Sequence, residues 1–224
     1  MPDFTMQILQ TLRDTIDVYL QQDPQYTLSL VPYNAQEHAP QILKEMSEIS
    51  HKAGVGPMAT VAGAFATHIA QQLKKRFKIE EIIIENGGDI YADIQDDIDV
   101  AIFAGKSPLS ERIGLHIEAK ESPLGICTSS GTVGHSLSFG KADAVMMVWK
   151  DASLADGYAT AIANQIQTSD DINPVLRRIE NETDILSALL VKDDKMGVVG
   201  QFELKLFKLL SSEPPQNRIL RPKF

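Results

Sequence analysis

The segment Glu81-Ile82-Ile83-Ile84-Glu85-Asn86-Gly87-Gly88-Asp89-Ile90-Tyr91-Ala92-Asp93-Ile94 decides the fold class. Glu81 to Glu85 and Ile90 to Ile94 are short and rich in β-branched residues, which predicts two strands. Asn86-Gly87 between them is a strong tight-turn signal. A turn accounts less well for Gly88 and Asp89, because a second glycine costs order and aspartate is poor in strands. Val100 to Ala104 and Arg112 to Ala119 read as further strands, separated by Gly105-Lys106-Ser107-Pro108. Antiparallel-looking β-structure that follows a helical half predicts an α+β fold.

The helical half lies upstream. Ile8, Leu12, Ile16 and Leu20 recur at helical spacing, so Phe4 to Gln22 is expected to be a helix, with Asp3 as its cap. Asp23-Pro24 should end it, and residues 23 to 39 read as a loop. A second helix is expected from Pro40 to about Ala53. Gly54-Val55-Gly56-Pro57 breaks the chain, and a long helix should run from Pro57 to about Phe77. Its stripe is Val61, Phe65, Ile69, Leu73 and Phe77. Small residues near its start, Ala62 and Gly63 among them, allow another backbone or a ligand to come close. The N-terminus of this helix, preceded by Gly54 and Gly56, can present free N–H groups to an anion. Equally, Gly54 can simply cap one helix and Pro57 start the next.

Downstream, Cys127-Thr128-Ser129-Ser130-Gly131-Thr132-Val133-Gly134-His135-Ser136 is a dense polar loop. It offers hydroxyl and backbone donors to a phosphate, with His135 as an acid/base group. A flexible connection is the alternative. Ala142 to Trp149 reads as a buried strand that passes directly into a helix containing Asp156 and Thr160, four residues apart. On one helical face, a carboxylate and a hydroxyl at that spacing can share a small hard cation such as Mg2+. The competing reading makes Ser153 and Asp156 a capping box. A short helix from Asp171 to Glu180 should follow, then strands at Ile185 to Val191, Met196 to Val199 and Phe202 to Leu209. Residues 1–210 are expected to form one domain, and 211–224 a mobile tail.

Composition narrows the function classes. The net charge is -9, and no basic stripe marks a nucleic-acid surface. Met1-Pro2-Asp3 shows no basic n-region or h-region, so no signal peptide is expected, and no apolar run is long enough to span a bilayer; the expectation is a cytoplasmic protein. A single cysteine, Cys127, excludes an internal disulfide and reads as a buried, inert thiol. Broad apolar helix faces make a homodimer an expectation.

The order and spacing of Asn86-Gly87-Gly88-Asp89-Ile90, Thr128-Ser129-Ser130-Gly131 with His135, and Ala155-Asp156-Gly157-Tyr158-Ala159-Thr160 resemble the ApbE superfamily. Its members are flavin transferases that move FMN from FAD to a protein threonine, with Mg2+. Ala53-Gly54-Val55-Gly56-Pro57-Met58 and Gly105-Lys106-Ser107-Pro108-Leu109-Ser110 are similar to a compact branch of that superfamily. The resemblance implies Mg2+ at Asp156, Thr160 and a backbone carbonyl near Ala62. It implies a nucleotide pocket bordered by Gly87, Gly88 and Asp89. Thr128, Ser129, Ser130, Gly131 and Thr132, with Gly54, Gly56 and Thr60, are then the expected phosphate contacts, and His135 and Asp156 the catalytic pair. Two departures stand out. His135 is followed by Ser136-Leu137-Ser138-Phe139-Gly140, without the family's Asp-Pro, and Gly63 replaces its Ala-Lys-Gly lysine.

The expectation is therefore an ApbE-like roll, a mostly antiparallel sheet with N-terminal helices packed on it. It would bind Mg2+ and a flavin, FAD or FMN, or a related nucleotide, and carry out phosphoryl-linked transfer. The alternative is a non-catalytic protein that binds a flavin or another anionic ligand and keeps the fold without the transferase activity. A protein acceptor stays unnamed.

Overall fold

A computed structural model of the chain describes residues 1–133, 138–182, 184–207 and 218–222. Three helices come first: α1 (Pro2–Gln22), α2 (Pro24–Leu28) and α3 (Gln41–Ala53). A 3-10 turn (Pro57–Thr60) leads into α4 (Val61–Arg76). Strands β1 (Ile82–Asn86), β2 (Asp89–Asp93), β3 (Ile98–Ala101), β4 (Ile113–Ile117), β5 (Leu124–Ser129) and β6 (Ala144–Trp149) follow. Then come α5 (Ala152–Ala163), α6 (Ile172–Ile179), β7 (Ser187–Lys192), β8 (Lys195–Gly200), β9 (Leu204–Leu206) and β10 (Arg218–Leu220).

The strands form two sheets. One is six-stranded and wholly antiparallel, in the order β1-β2-β5-β6-β7-β8. The other has the order β10-β3-β4-β9, and only its β10–β3 pair is parallel. The fold is α+β with a mostly antiparallel sheet. Strand β6 shows why its sequence is an unbroken apolar run. Val145, Met147 and Trp149 pack toward the helices, while Ala144, Met146 and Val148 pack toward the second sheet. A strand covered on both faces has no polar side to alternate with. The N-terminal helices form a third cluster around Tyr26, Leu43, Met46 and Leu73, all buried.

Several expectations are corrected in detail. The hairpin turn is made by Gly87-Gly88, not Asn86-Gly87: both glycines have positive φ, 61° and 97°, and Asn86 pairs with Asp89. Two positive φ values are what a tight two-residue hairpin turn needs, and this accounts for the second glycine. The first helix begins at Pro2, so Asp3 lies within its first turn and Met1 is the cap position. The expected loop at 23–39 contains α2. The long helix starts its α-geometry at Val61, since the preceding prolyl turn is 3-10. Within the expected tail, Arg218–Leu220 is instead strand β10, paired with β3. Its alternation of polar and apolar residues is too short to read as a strand without that partner.

Candidate functional site

A cleft of about 460 Å³ lies between the start of α4, the β1–β2 turn, the end of β5 and α5. Its position follows from close backbone contact. A Cβ on Gly63 would lie 2.3 Å from the Ala152 carbonyl oxygen, and one on Gly125 would lie 2.3 Å from the Ala152 Cα. Two glycines thus admit the first residue of α5 between α4 and β5. That approach carries Asp156, one turn further along, to the N-terminus of α4.

The cap of α5 is Asp151, whose side chain accepts from the Leu154 N–H at 2.8 Å. The capping-box reading of Ser153 and Asp156 is therefore wrong: Asp156 sits inside the helix and turns the other way. One of its carboxylate oxygens accepts from the Gly63 N–H at 3.0 Å. The anion at the N-terminus of α4 is thus a side chain of the protein itself, placed where helix N–H groups favour negative charge. The residue is nonetheless only 8% exposed, and burial pushes its carboxyl up to about 7, against the downward pull of the Gly63 and Ala62 N–H groups. Asp89, at the start of β2, is 7% exposed. Burial raises its carboxyl well above the usual range, and the nearby charge of Asp156 adds to the rise. Its Oδ1 has no hydrogen-bond partner.

Around these carboxylates the donors are oxygens. Thr160 Oγ1 lies 3.4 Å from Ser129 Oγ. The Ala62 carbonyl, in the first turn of α4, accepts from the Asn86 side-chain amide at 3.3 Å. Carboxylate, hydroxyl and carbonyl oxygens are the donor set of a small hard cation, and an orphaned buried carboxylate oxygen is a place for one. The residues present therefore fit Mg2+. Among the described residues, no three His, Cys, Asp or Glu side chains gather as a metal cluster, so any ligands beyond Asp89 and Asp156 would be neutral oxygens.

The structure brings Gly56, Ala62, Gly87, Asp89, Asp156 and Thr160 to the cleft, together with Thr128, Ser129 and Ser130. Other expected residues lie outside its lining. Gly54 is the left-handed C-cap of α3, and the buried Thr60 hydroxyl donates to the Pro57 carbonyl at 2.8 Å. Gly88 and Gly131 do not line the cleft, and the Thr132 hydroxyl donates to Asp143 at 3.0 Å. His135 lies outside the described residues. Cys127 is fully buried, and its thiol donates to the Ala152 carbonyl at 3.2 Å. Burial and the charges of Asp89 and Asp156 push that thiol well up, so it is no nucleophile.

Sequence reasoning missed one part of the site. Asn164, after the end of α5, accepts from the Ser138 hydroxyl at 3.0 Å and the Phe139 N–H at 2.9 Å. Ser138, Phe139 and Asn164 all line the cleft, and Phe139 is 65% exposed. Only an asparagine closing a helix beside a polar loop hinted at this.

A family model described as "AbpE bacteria" matches residues 1–195. A UPF0280 protein of Methanocaldococcus jannaschii is 36% identical over 200 residues, covering 87% of this chain and 80% of the relative. One from Methanobrevibacter smithii is 39% identical over 207 residues, covering 90% and 85%. Among solved structures, the apo flavinyl transferase ApbE of Pseudomonas stutzeri is 16% identical with a TM-score of 0.44, over 66% of this chain and 48% of that one. The flavin transferase ApbE of Vibrio cholerae is 18% identical with a TM-score of 0.44, over 65% and 50%. The chain spans about half the length of those transferases. No helix among the described residues is long and apolar enough to cross a membrane.

Proposed function

The chain belongs to the family described as AbpE bacteria, an ApbE-like branch, and from that premise we propose that its cleft binds a flavin or related nucleotide through Mg2+. One observation carries the reading. Asp156, Thr160 and Ala62, the residues the resemblance implies as Mg2+ ligands, line a single cleft with the glycine turn and the Thr128 to Ser130 segment. The cleft volume of about 460 Å³ is in the range of small-molecule sites.

When bound, Mg2+ would offset the negative charge of a diphosphate and polarise a phosphoryl oxygen. The protein's own groups divide the remaining work. The Gly63 N–H holds the Asp156 carboxylate in a fixed orientation. The Asn86 amide holds the Ala62 carbonyl, and Thr160 and Ser129 hold one another's hydroxyls at the cleft wall. Ser130 accepts from the backbone N–H groups of Thr132 and Val133, each at 3.0 Å, and so shapes the polar segment that would face phosphate. His135, two residues beyond Val133, is assigned the donation of a proton to a leaving oxygen.

The test is calorimetric titration with FAD, with and without Mg2+, on wild type and Asp156→Ala. Mg2+-dependent binding lost in the variant is the expected result. Equal FAD binding by both proteins with Mg2+ present would overturn the reading. Incubation of the same samples then separates chemistry from storage: release of FMN and AMP identifies an enzyme. Tight binding without turnover identifies a pocket that has kept the ligand and not the reaction, in line with the missing Asp-Pro after His135.

A further inference from the structure

Asp89 is absent from the set of Mg2+ ligands that the family resemblance implies. Its surroundings set it apart from the other buried aspartates. Asp23 accepts from the Tyr19 and Tyr33 hydroxyls, at 3.0 and 3.1 Å. Asp143 accepts from the Thr132 hydroxyl and the Asp193 N–H, at 3.0 and 2.6 Å. Asp89 is as buried as these, at 7% exposed, yet its Oδ1 has no partner. A buried carboxylate oxygen left unpaired is costly, and such a group normally finds a donor or a cation. Asp156 lines the same cleft, so two carboxylates share one poorly solvated space. No lysine, arginine or histidine among the described residues lines that cleft. A bound cation would supply the compensating positive charge.

We propose that Asp89 is itself a cation ligand, so that Asp89 and Asp156 together form a two-carboxylate Mg2+ site that fills before any nucleotide arrives. The inference rests on the location given by the proposed function and adds to it both a ligand and an order of binding. Charge decides the order. A dication held by a single carboxylate keeps a net positive charge and depends on a phosphate for neutrality. A dication held by two is already balanced. Hard oxygen ligands suit Mg2+, which keeps several of its waters and accepts one or two carboxylates. The nucleotide would then meet a loaded site, exchanging its phosphate oxygens for those waters.

The experiment is titration of the nucleotide-free protein with MgCl2, followed by calorimetry and by thermal melting. Wild type should bind Mg2+ alone and melt higher in its presence. Asp89→Asn should weaken that binding by more than about 100-fold, beyond the 10- to 100-fold loss usual for a residue that only supports a ligand. Asp89→Ser, with circular dichroism on both variants, guards against a folding defect. Wild type that takes up Mg2+ only with FAD present would overturn the proposal. So would a folded Asp89 variant with wild-type Mg2+ affinity. If Asp156→Asn loses Mg2+ while Asp89→Asn keeps it, the further ligand fails and the proposed function survives. If FAD binding never depends on Mg2+ or on Asp156, the proposed function itself fails.

Discussion

Asp143 and Asp89 are the same residue type at nearly the same burial, 8% and 7% exposed, and their surroundings differ. Both Asp143 oxygens are occupied, and Lys192 stands 3.7 Å away. The result is a knot that ties the polar segment at Thr132 to the β7–β8 turn at Asp193. Asp89 has an empty oxygen and a second carboxylate for a neighbour. Burial alone therefore does not mark a functional carboxylate. What distinguishes the two is whether the fold supplies donors to both oxygens: at Asp89 the Thr128 backbone and the Cys127 thiol serve the carboxylate, and Oδ1 has no partner.

Acidity gives the largest expected contrast. Burial raises the carboxyls of Asp89 and Asp156 in the folded protein, Asp156 to about 7. An unfolded aspartate titrates near pH 4, roughly, so between about pH 4 and pH 7 the folded state holds more protons than the unfolded state. Stability contributed by these groups is complete at the acid end of that window and is lost as pH rises through it. Each group can contribute up to about 1.4 kcal/mol per pH unit. Urea melts of Mg2+-free protein should show stability falling from pH 5 to pH 7. Saturating Mg2+ should flatten the slope by favouring the ionised pair. A slope of opposite sign would contradict the raised carboxyls of Asp89 and Asp156.

The partnered carboxylates should respond to truncation and not to metal. Asp23→Ala strips the acceptor from two tyrosine hydroxyls, one of them on the buried Tyr19. The expected loss is about 2 kcal/mol of unfolding free energy. Mg2+ affinity should be unchanged, because Asp23 does not line the cleft. A loss of Mg2+ binding in this variant would blur the distinction. The smallest effect concerns the turn that delivers Asp89. Gly87→Ala puts a Cβ where no atom lies within 4 Å, but at a φ of 61°. The cost is backbone strain alone, about 1 kcal/mol, read as a lower melting temperature.

Much of the fold was legible in the sequence because its signals are local. Glu81 to Ile94 announced a hairpin, and Ala142 to Trp149 announced a strand buried on both faces. β10 was not legible: Arg218–Leu220 has no pattern of its own and becomes a strand through β3. The site shows the same division. Spacing on one helix put Asp156 and Thr160 on a common face. The Asp156–Gly63 hydrogen bond joins residues 93 apart in sequence, and no local pattern encodes it. Gly88 and Asp89 were noticed because they fitted the simplest turn poorly. Gly88 turned out to belong to the turn after all. The isolation of the Asp89 oxygen could only appear once β2, β5 and α5 were assembled around it.

Carbon-13 NMR titration of the aspartate side-chain carboxyls tests the central claim most directly, in the absence of Mg2+ and then at saturation. Two aspartates, identified as Asp89 and Asp156 by their loss in the asparagine variants, should titrate well above the usual carboxylate range in the metal-free protein. Both should fall back toward ordinary carboxylate values with Mg2+. If they titrate in the usual carboxylate range, or stay raised in saturating Mg2+, this pair of carboxylates is not a cation site.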